Sequence, residues 1–321
     1  MRQVVNIIPE NLNLPIKIGT RGSPLALVQA HQTRDRLKSA YGLNDADFEI
    51  VAISTTGDKI QGKALREFGG KGLFTKEIEQ QLADGGIDVA VHSMKDVPTI
   101  LPDGLLMTCI LPREDVRDAF ISIKYNALQD LPIGAVVGTA SLRRGSILLA
   151  SRPDLKIVNF RGSVNTRLEK LAKGDVDATL LAVAGLNRLG FSDMITQVLS
   201  ATDMLPAVAQ GAIGLEVRED DSAMIKLLSA INCGQTKAEI GMERAFLRAL
   251  DGSCRTPIAA LAQIYGQQIE FKGKILTPDG KQVHEASITA PLGQADNFGR
   301  NLGLELLAKA GPKFFETQYK L

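Results

Sequence analysis

The chain has 321 residues, enough for two or three domains of ordinary size, and 45% of them are apolar. Its 37 Lys and Arg balance 36 Asp and Glu to a formal net charge of +1, which excludes a general nucleic-acid or membrane surface and makes any strong anion site local. Three cysteines without CxxC spacing and three dispersed histidines exclude a disulfide framework and a His/Cys metal cluster.

In chain order, the N-terminal stretch MRQVVNIIPENLNLP is interrupted by Asn6, Pro9 and Glu10 and does not read as a signal peptide. No apolar run approaches membrane-spanning length, so the expectation is a cytoplasmic protein. IKIGT (16–20) reads as a buried strand, and Ser23-Pro24 as an N-cap with proline at the first position of a helix ending near Gly42. FEIVAIS (48–54) is the next strand. Residues 55–73 are rich in glycine and lysine, lack a period and form a candidate lid. FTKEIEQQLADGG is a helix with a glycine stop, and IDVAVHS (87–93) a strand that SMKDVP leaves.

The pattern recurs. AVVGT (135–139) precedes a helix starting at Ser141, KIVNF (156–160) precedes a helix ending at Gly174, and DATLLAVAG (177–185) reads as one strand leading into LNRLG. Such alternation predicts mostly parallel sheets with helices on their faces, an α/β class. Beyond about residue 232 come a long helix, three consecutive strands with breaks at Gly266-Gln267 and Pro278-Asp279-Gly280, and a final helix over roughly 294–311, which together predict a smaller α+β domain.

Ligands of open α/β sheets bind beyond the carboxyl ends of parallel strands, where helix N-termini present free N–H groups. This sequence places Arg21 and Ser23 after its first strand, Lys95 and Asp96 after IDVAVHS, and Ser141, Arg143 and Arg144 after AVVGT. Arg161, Ser163 and Arg167 follow KIVNF, and Arg188 follows DATLLAVAG. Six arginines at equivalent ends of a nearly neutral chain predict a polyanionic ligand, since the guanidinium fork matches carboxylate and phosphate. No GxxxxGK[ST] and no GxGxxG after a strand is present, so several spread carboxylates fit better than a nucleotide. Asp96, a carboxylate among cations, could pair with a neighbour, hold or move a proton, or stabilise developing positive charge. His92 and Cys109 read as packed core groups, and Cys233 has no evident role. In LRALDGSCRTPIAA (247–260), a turn carries Cys254 beside Arg255.

IGTRGSPLALVQA, GGKGLFTKEIEQQL, DVAVHSMKDVPT, LPREDVRDAFIS, GTASLRRGSILLA, FRGSVNTRLEKL, AGLNRLG, LPAVAQGAIGLEVRED and LDGSCRTPIA together resemble the porphobilinogen deaminase (hydroxymethylbilane synthase) family of tetrapyrrole biosynthesis, in the family's order from about residue 16 to 265. The resemblance implies two doubly wound domains like periplasmic binding protein lobes plus a smaller C-terminal α+β domain. Their expected spans are 1–111 with 212–231, 112–211, and 232–321. It implies a dipyrromethane cofactor joined to Cys254 by a thioether, and four porphobilinogen units condensed head to tail with loss of ammonia. Asp96 is then the catalytic carboxylate beside the pyrrole N–H groups. Ser93, Lys95, Asp96, Thr139, Ser141, Arg143 and Arg144 are the implied cofactor contacts. Arg21, Ser23, Arg161, Ser163, Arg167 and Arg188 are those of porphobilinogen and its linear oligomers. A monomer without metal, nucleic acid or membrane is expected.

The chain departs from the family pattern at Ser163, where asparagine is commoner, and at Ala209 and Ser253, where glycine is usual. Ala209 is expected to sit at an unusual backbone conformation or near a ligand. A carboxylate-binding receptor would lack a need for Cys254 and Asp96, a nucleotide-dependent transferase would need a phosphate loop, and an inactive relative would not keep both residues.

Overall fold

The computed structural model describes residues 6–59, 72–250, 256–311 and 314. Its elements run β1 (Ile16–Arg21), α1 (Pro24–Tyr41), β2 (Phe48–Ile53), α2 (Thr56–Lys59), α3 (Lys76–Ala83), β3 (Val89–Ser93), β4 (Leu105–Ile110), β5 (Asp118–Ile121), β6 (Val136–Gly138), α4 (Leu142–Ser151), β7 (Lys156–Val158), α5 (Val164–Ala172), β8 (Ala178–Ala182), α6 (Val183–Arg188), β9 (Gln197–Val198), β10 (Ile213–Arg218), α7 (Ser222–Ser229), α8 (Gly234–Ala249), β11 (Ile258–Tyr265), β12 (Gln268–Leu276), β13 (Val283–Pro291) and α9 (Ala295–Ala310). The described residues divide into two compact units, one from segments 6–59, 72–113 and 212–237 and the other from 114–211 and the described residues beyond 237.

The first unit holds a sheet in the order β2-β1-β3-β10-β4. β1 runs parallel to β2 and β3, while β10 is antiparallel to both β3 and β4. β3 is buried on both faces, as parallel strands between helices must be. Val89 and Val91 pack with Ala30 and Leu37 of α1 and Leu227 of α7, and Ala90 turns the other way toward Ile78 and Leu82 of α3. Local chemistry fixes α1. Ser23 accepts the Ala26 N–H at 3.4 Å, Pro24 takes the first position, and Gly42, at φ 70°, donates to Lys38 O at 2.8 Å.

The second unit holds a sheet in the order β7-β6-β8-β5-β9, with β6 parallel to β7 and β8 and with β5 antiparallel to β8 and β9. The two sheets share one plan: three parallel strands, a fourth reversed, and a fifth antiparallel to the fourth. β5 enters this sheet directly after the chain leaves the first unit, and β10 is the strand with which the chain rejoins that first unit.

The three-stranded antiparallel sheet β11-β12-β13 belongs to the same compact unit as β5–β9. Ala259, Leu261 and Leu276 share a core with Phe120, Val137, Leu180 and the α4 residues Ile147 and Leu148. The β12–β13 turn seats on α4. Gly280, at φ 72°, lies where an added Cβ would come within 2.5 Å of Ala150 N and 2.7 Å of Ser146 O. Only glycine meets both the left-handed backbone and that approach.

One boundary differs from the sequence expectation. DATLLAVAG is not a single strand, because β8 stops at Ala182 and Val183–Arg188 is helical. The run is apolar throughout because strand and helix are both buried, and an apolar run without periodicity does not separate the two.

Candidate functional site

In the first unit the ladder pairs Gly19 with Ala90, so the carboxyl ends of β1 and β3 lie side by side. Arg21 is the last residue of β1. Its guanidinium is ion-paired with Asp58 and stacks 4.2 Å above the Phe74 ring. Burial works against the charge on Asp58, yet bonds from Arg21 and Thr55 hold its carboxyl below the ordinary range. Ser93 closes β3 and exchanges hydrogen bonds with the buried amide of Gln29 on α1, at 2.9 and 3.0 Å. The chain then makes a single 3-10 turn, Met94–Asp96, that leaves Lys95 exposed and Asp96 half-buried.

His92 and Cys109 are core groups, as their surroundings in sequence suggested. His92 Nε2 lies 2.9 Å from Glu216 Oε2 in the interior, and burial pushes the Cys109 thiol up to about 12. Cys233 Sγ accepts from the Thr236 hydroxyl at 3.3 Å.

In the second unit, β6 delivers buried Thr139, whose Oγ1 accepts from Ser141 N at 3.1 Å; Ser141 in turn caps α4 by accepting from Arg144 N. Arg143 and Arg144 are only 4% and 6% exposed and converge on Asp118, which is fully buried at the start of β5. Arg143 Nη1 donates to Asp118 Oδ2 at 2.7 Å and to Leu205 O at 2.8 Å. Arg144 Nε and Nη2 donate to Oδ1 at 3.1 and 2.6 Å, and its Nη1 to Leu180 O at 3.0 Å. Burial raises the cost of the Asp118 charge, but the two guanidinium groups outweigh it and hold the carboxyl well below its ordinary range.

Ser163 caps α5 by accepting from Thr166 N at 3.2 Å. Arg167 Nε reaches Ser163 O at 3.4 Å. No carboxylate pairs with Arg167 among the described residues. Burial, and then the like charge of Arg144, lower its pKa to about 10. It therefore remains a cation at neutral pH, held at a cost that an anionic ligand would relieve. Arg188, at the end of α6, donates to Gly211 O at 2.8 Å, and Arg161 O accepts from Lys170 Nζ at 3.3 Å. Cys254 and Ser253 lie outside the described residues, as do residues 60–71 of the expected lid.

The sequence reading missed Asp58, Phe74, Gln29, Asp118 and Gln210, which contact the expected site residues. Gln29 and Asp118 each carried a signal. Gln29 interrupts the apolar face of α1, and Asp118 stands immediately before the apolar strand core Ala119–Ile121. A carboxylate or amide in an otherwise buried position demands a partner.

The cluster around Asp118 carries excess buried positive charge. Asp118 answers two guanidinium groups, Arg167 stands near them, and Arg143 Nε is buried without a hydrogen-bond partner. Spare guanidinium donors of this kind can take a ligand with several carboxylates, such as a dipyrromethane, each pyrrole of which bears an acetate and a propionate.

The family model described as porphobilinogen deaminase, dipyromethane cofactor binding domain, matches residues 16–226, and that of the porphobilinogen deaminase C-terminal domain matches residues 237–308. The chloroplastic porphobilinogen deaminase of Oryza sativa subsp. japonica is 55% identical over 307 residues, covering 94% of this chain and 86% of its own. The porphobilinogen deaminase of Paracoccus denitrificans is 53% identical over 308 residues, covering 96% and 97%. Among solved structures, a periplasmic substrate-binding protein from Coxiella burnetii aligns at a TM-score of 0.41 and 17% identity, over 71% of this chain and 96% of that one. The chain belongs to the porphobilinogen deaminase family. Its activity is that family's, the hydroxymethylbilane synthase transferase reaction of tetrapyrrole biosynthesis, with a dipyrromethane cofactor.

Proposed function

We propose that Cys254 carries the dipyrromethane through a thioether and that Asp96 is the catalytic carboxylate. When bound, the cofactor would supply the free pyrrole α-carbon that takes the first porphobilinogen unit, each later unit joining the free α-carbon at the end of the lengthening chain. In the first unit Ser93 and Lys95 hold cofactor carboxylates beside Asp96, and Arg21 and Ser23 hold those of the substrate. In the second, Thr139, Ser141, Arg143 and Arg144 serve the cofactor, and Arg161, Ser163, Arg167 and Arg188 serve porphobilinogen and the lengthening chain. Asp96 stabilises positive charge arising on pyrrole nitrogen and takes part in proton transfer there. Arg167 carries the substrate-binding part of this reading, as a half-buried cation without a carboxylate partner among the described residues.

The α+β segment from residue 232 is proposed as a third domain within the second unit, which the C-terminal family match over 237–308 supports. A monomer in the cytoplasm is proposed from the balanced charge and the sparse cysteines. No helix among the described residues is long and apolar enough to cross a membrane.

Steady-state kinetics of Asp96→Asn, Arg161→Ala and Arg167→Ala test these roles. Asp96→Asn is expected to lower kcat by roughly 100-fold or more, and the arginine variants to impair elongation while remaining folded. Wild-type turnover in both arginine variants would overturn the substrate assignment.

A further inference from the structure

Asp118 lies outside every role assigned above, yet Arg143 and Arg144 are built around it. Adjacent guanidinium groups repel and, on a helix, would splay apart. Here one carboxylate takes one from each side, Arg143 on Oδ2 and Arg144 on Oδ1. Main-chain acceptors then fix each plane, Leu205 O for Arg143 and Leu180 O for Arg144. Gln210 completes the frame. Its Nε2 donates to Asp118 Oδ1 at 3.0 Å and to Val116 O at 2.7 Å, and its Oε1 accepts from Arg143 Nη2 at 3.4 Å. Asp118 is anchored in turn by the β5–β8 ladder, opposite Ala182.

Arg143 thus spends three donor contacts on the protein and leaves Nε buried without one. A guanidinium has five N–H donors. What these arginines offer a ligand is the remainder, aimed by Asp118. We propose that Asp118, braced by Gln210, is a positioning residue for cofactor capture: it holds the Arg143 and Arg144 forks in the orientation that receives ligand carboxylates. This role rests on the proposed contacts of Arg143 and Arg144 with the cofactor.

Charge and orientation predict opposite effects of one substitution. Asp118→Asn removes a negative charge from an anion site, so electrostatics alone would tighten capture. Loss of the aligning acceptor would weaken it. The full-length chain, purified free of bound pyrroles, is incubated with porphobilinogen, and the fraction gaining the cofactor mass is read by intact mass spectrometry. Asp118→Asn is expected to need roughly tenfold more porphobilinogen for half-loading, with Asp118→Glu partly restoring capture.

Gln210→Met, a milder change, should shift loading about threefold in the same direction and reports even where Asp118→Asn does not fold. Asp177→Asn is the control. It perturbs a carboxylate before β8, where Asp177 accepts from Val136 N at 2.9 Å and from Lys124 Nζ at 3.0 Å, away from the Asp118 cluster, and any loss of loading there matching that of Asp118→Asn would mean destabilisation alone and overturn the role. Wild-type or tighter loading in both Asp118→Asn and Gln210→Met would also overturn it. Arg144→Ala separates the two levels: if it loads normally the cofactor contact itself is wrong, whereas failure there with normal loading of Asp118→Asn removes only Asp118.

Discussion

Ala209 carries a side chain where the backbone is left-handed, at φ 58°, and is wholly buried. The sequence marked this position as one where glycine was expected, and the conformation explains why, since a Cβ costs energy there. Its N–H is spent on Glu243 Oε2 at 2.6 Å, and Glu243 Oε1 accepts from Ala262 N at 2.9 Å, so one α8 carboxylate ties this turn to β11. Ala209→Gly is expected to stabilise the protein by about 1 kcal/mol, seen as a higher urea midpoint at unchanged slope. Ser163, the other described departure, has its hydroxyl in a cap. Ser163→Asn should leave stability within about 0.5 kcal/mol, while Ser163→Ala should cost about 1 kcal/mol, both read from thermal melts. Equal stability of all three would remove the cap's contribution.

At the scale of elements, most helices and strands were legible because their ends are written in side-chain chemistry. Ser23, Ser141 and Ser163 each precede a helix and each accepts an N–H of its first turn. β12 and β13 announce themselves by alternating burial and by the Pro278-Asp279-Gly280 break. The reversed strands β5 and β10 were not distinguished, because direction within a sheet is a long-range property that a short apolar run does not encode. The same limit hid the Asp118 cluster. The sequence shows six arginines at strand ends but not that two of them are braced from within, by a residue 25 positions from Arg143 in one case. Arg143 and Arg144, expected to face a ligand, are partly committed to the protein, whereas Arg167 is half-buried with no carboxylate partner among the described residues.

For the whole molecule, the two sheets have one plan but exchange their chain order, and the Asp118 cluster gives the second unit an acid-sensitive element. Its carboxyl is depressed in the folded state, by Arg143 and Arg144 acting against burial. The stability it contributes is therefore complete above the unfolded carboxylate value of about 3.9 and is lost as pH falls through and below that range. Denaturant melts at pH 6 and at pH values below about 4 should show a steeper loss for the wild type than for Asp118→Asn; equal slopes would mean the carboxylate is not held charged by its arginines.

Covalent attachment at Cys254 is read from the intact mass of the purified chain beside Cys254→Ser, each exposed to porphobilinogen. An added mass of two linked pyrrole units is expected on the wild type and none on the variant. The same addition on Cys254→Ser, or none on the wild type, would mean that Cys254 is not the attachment point.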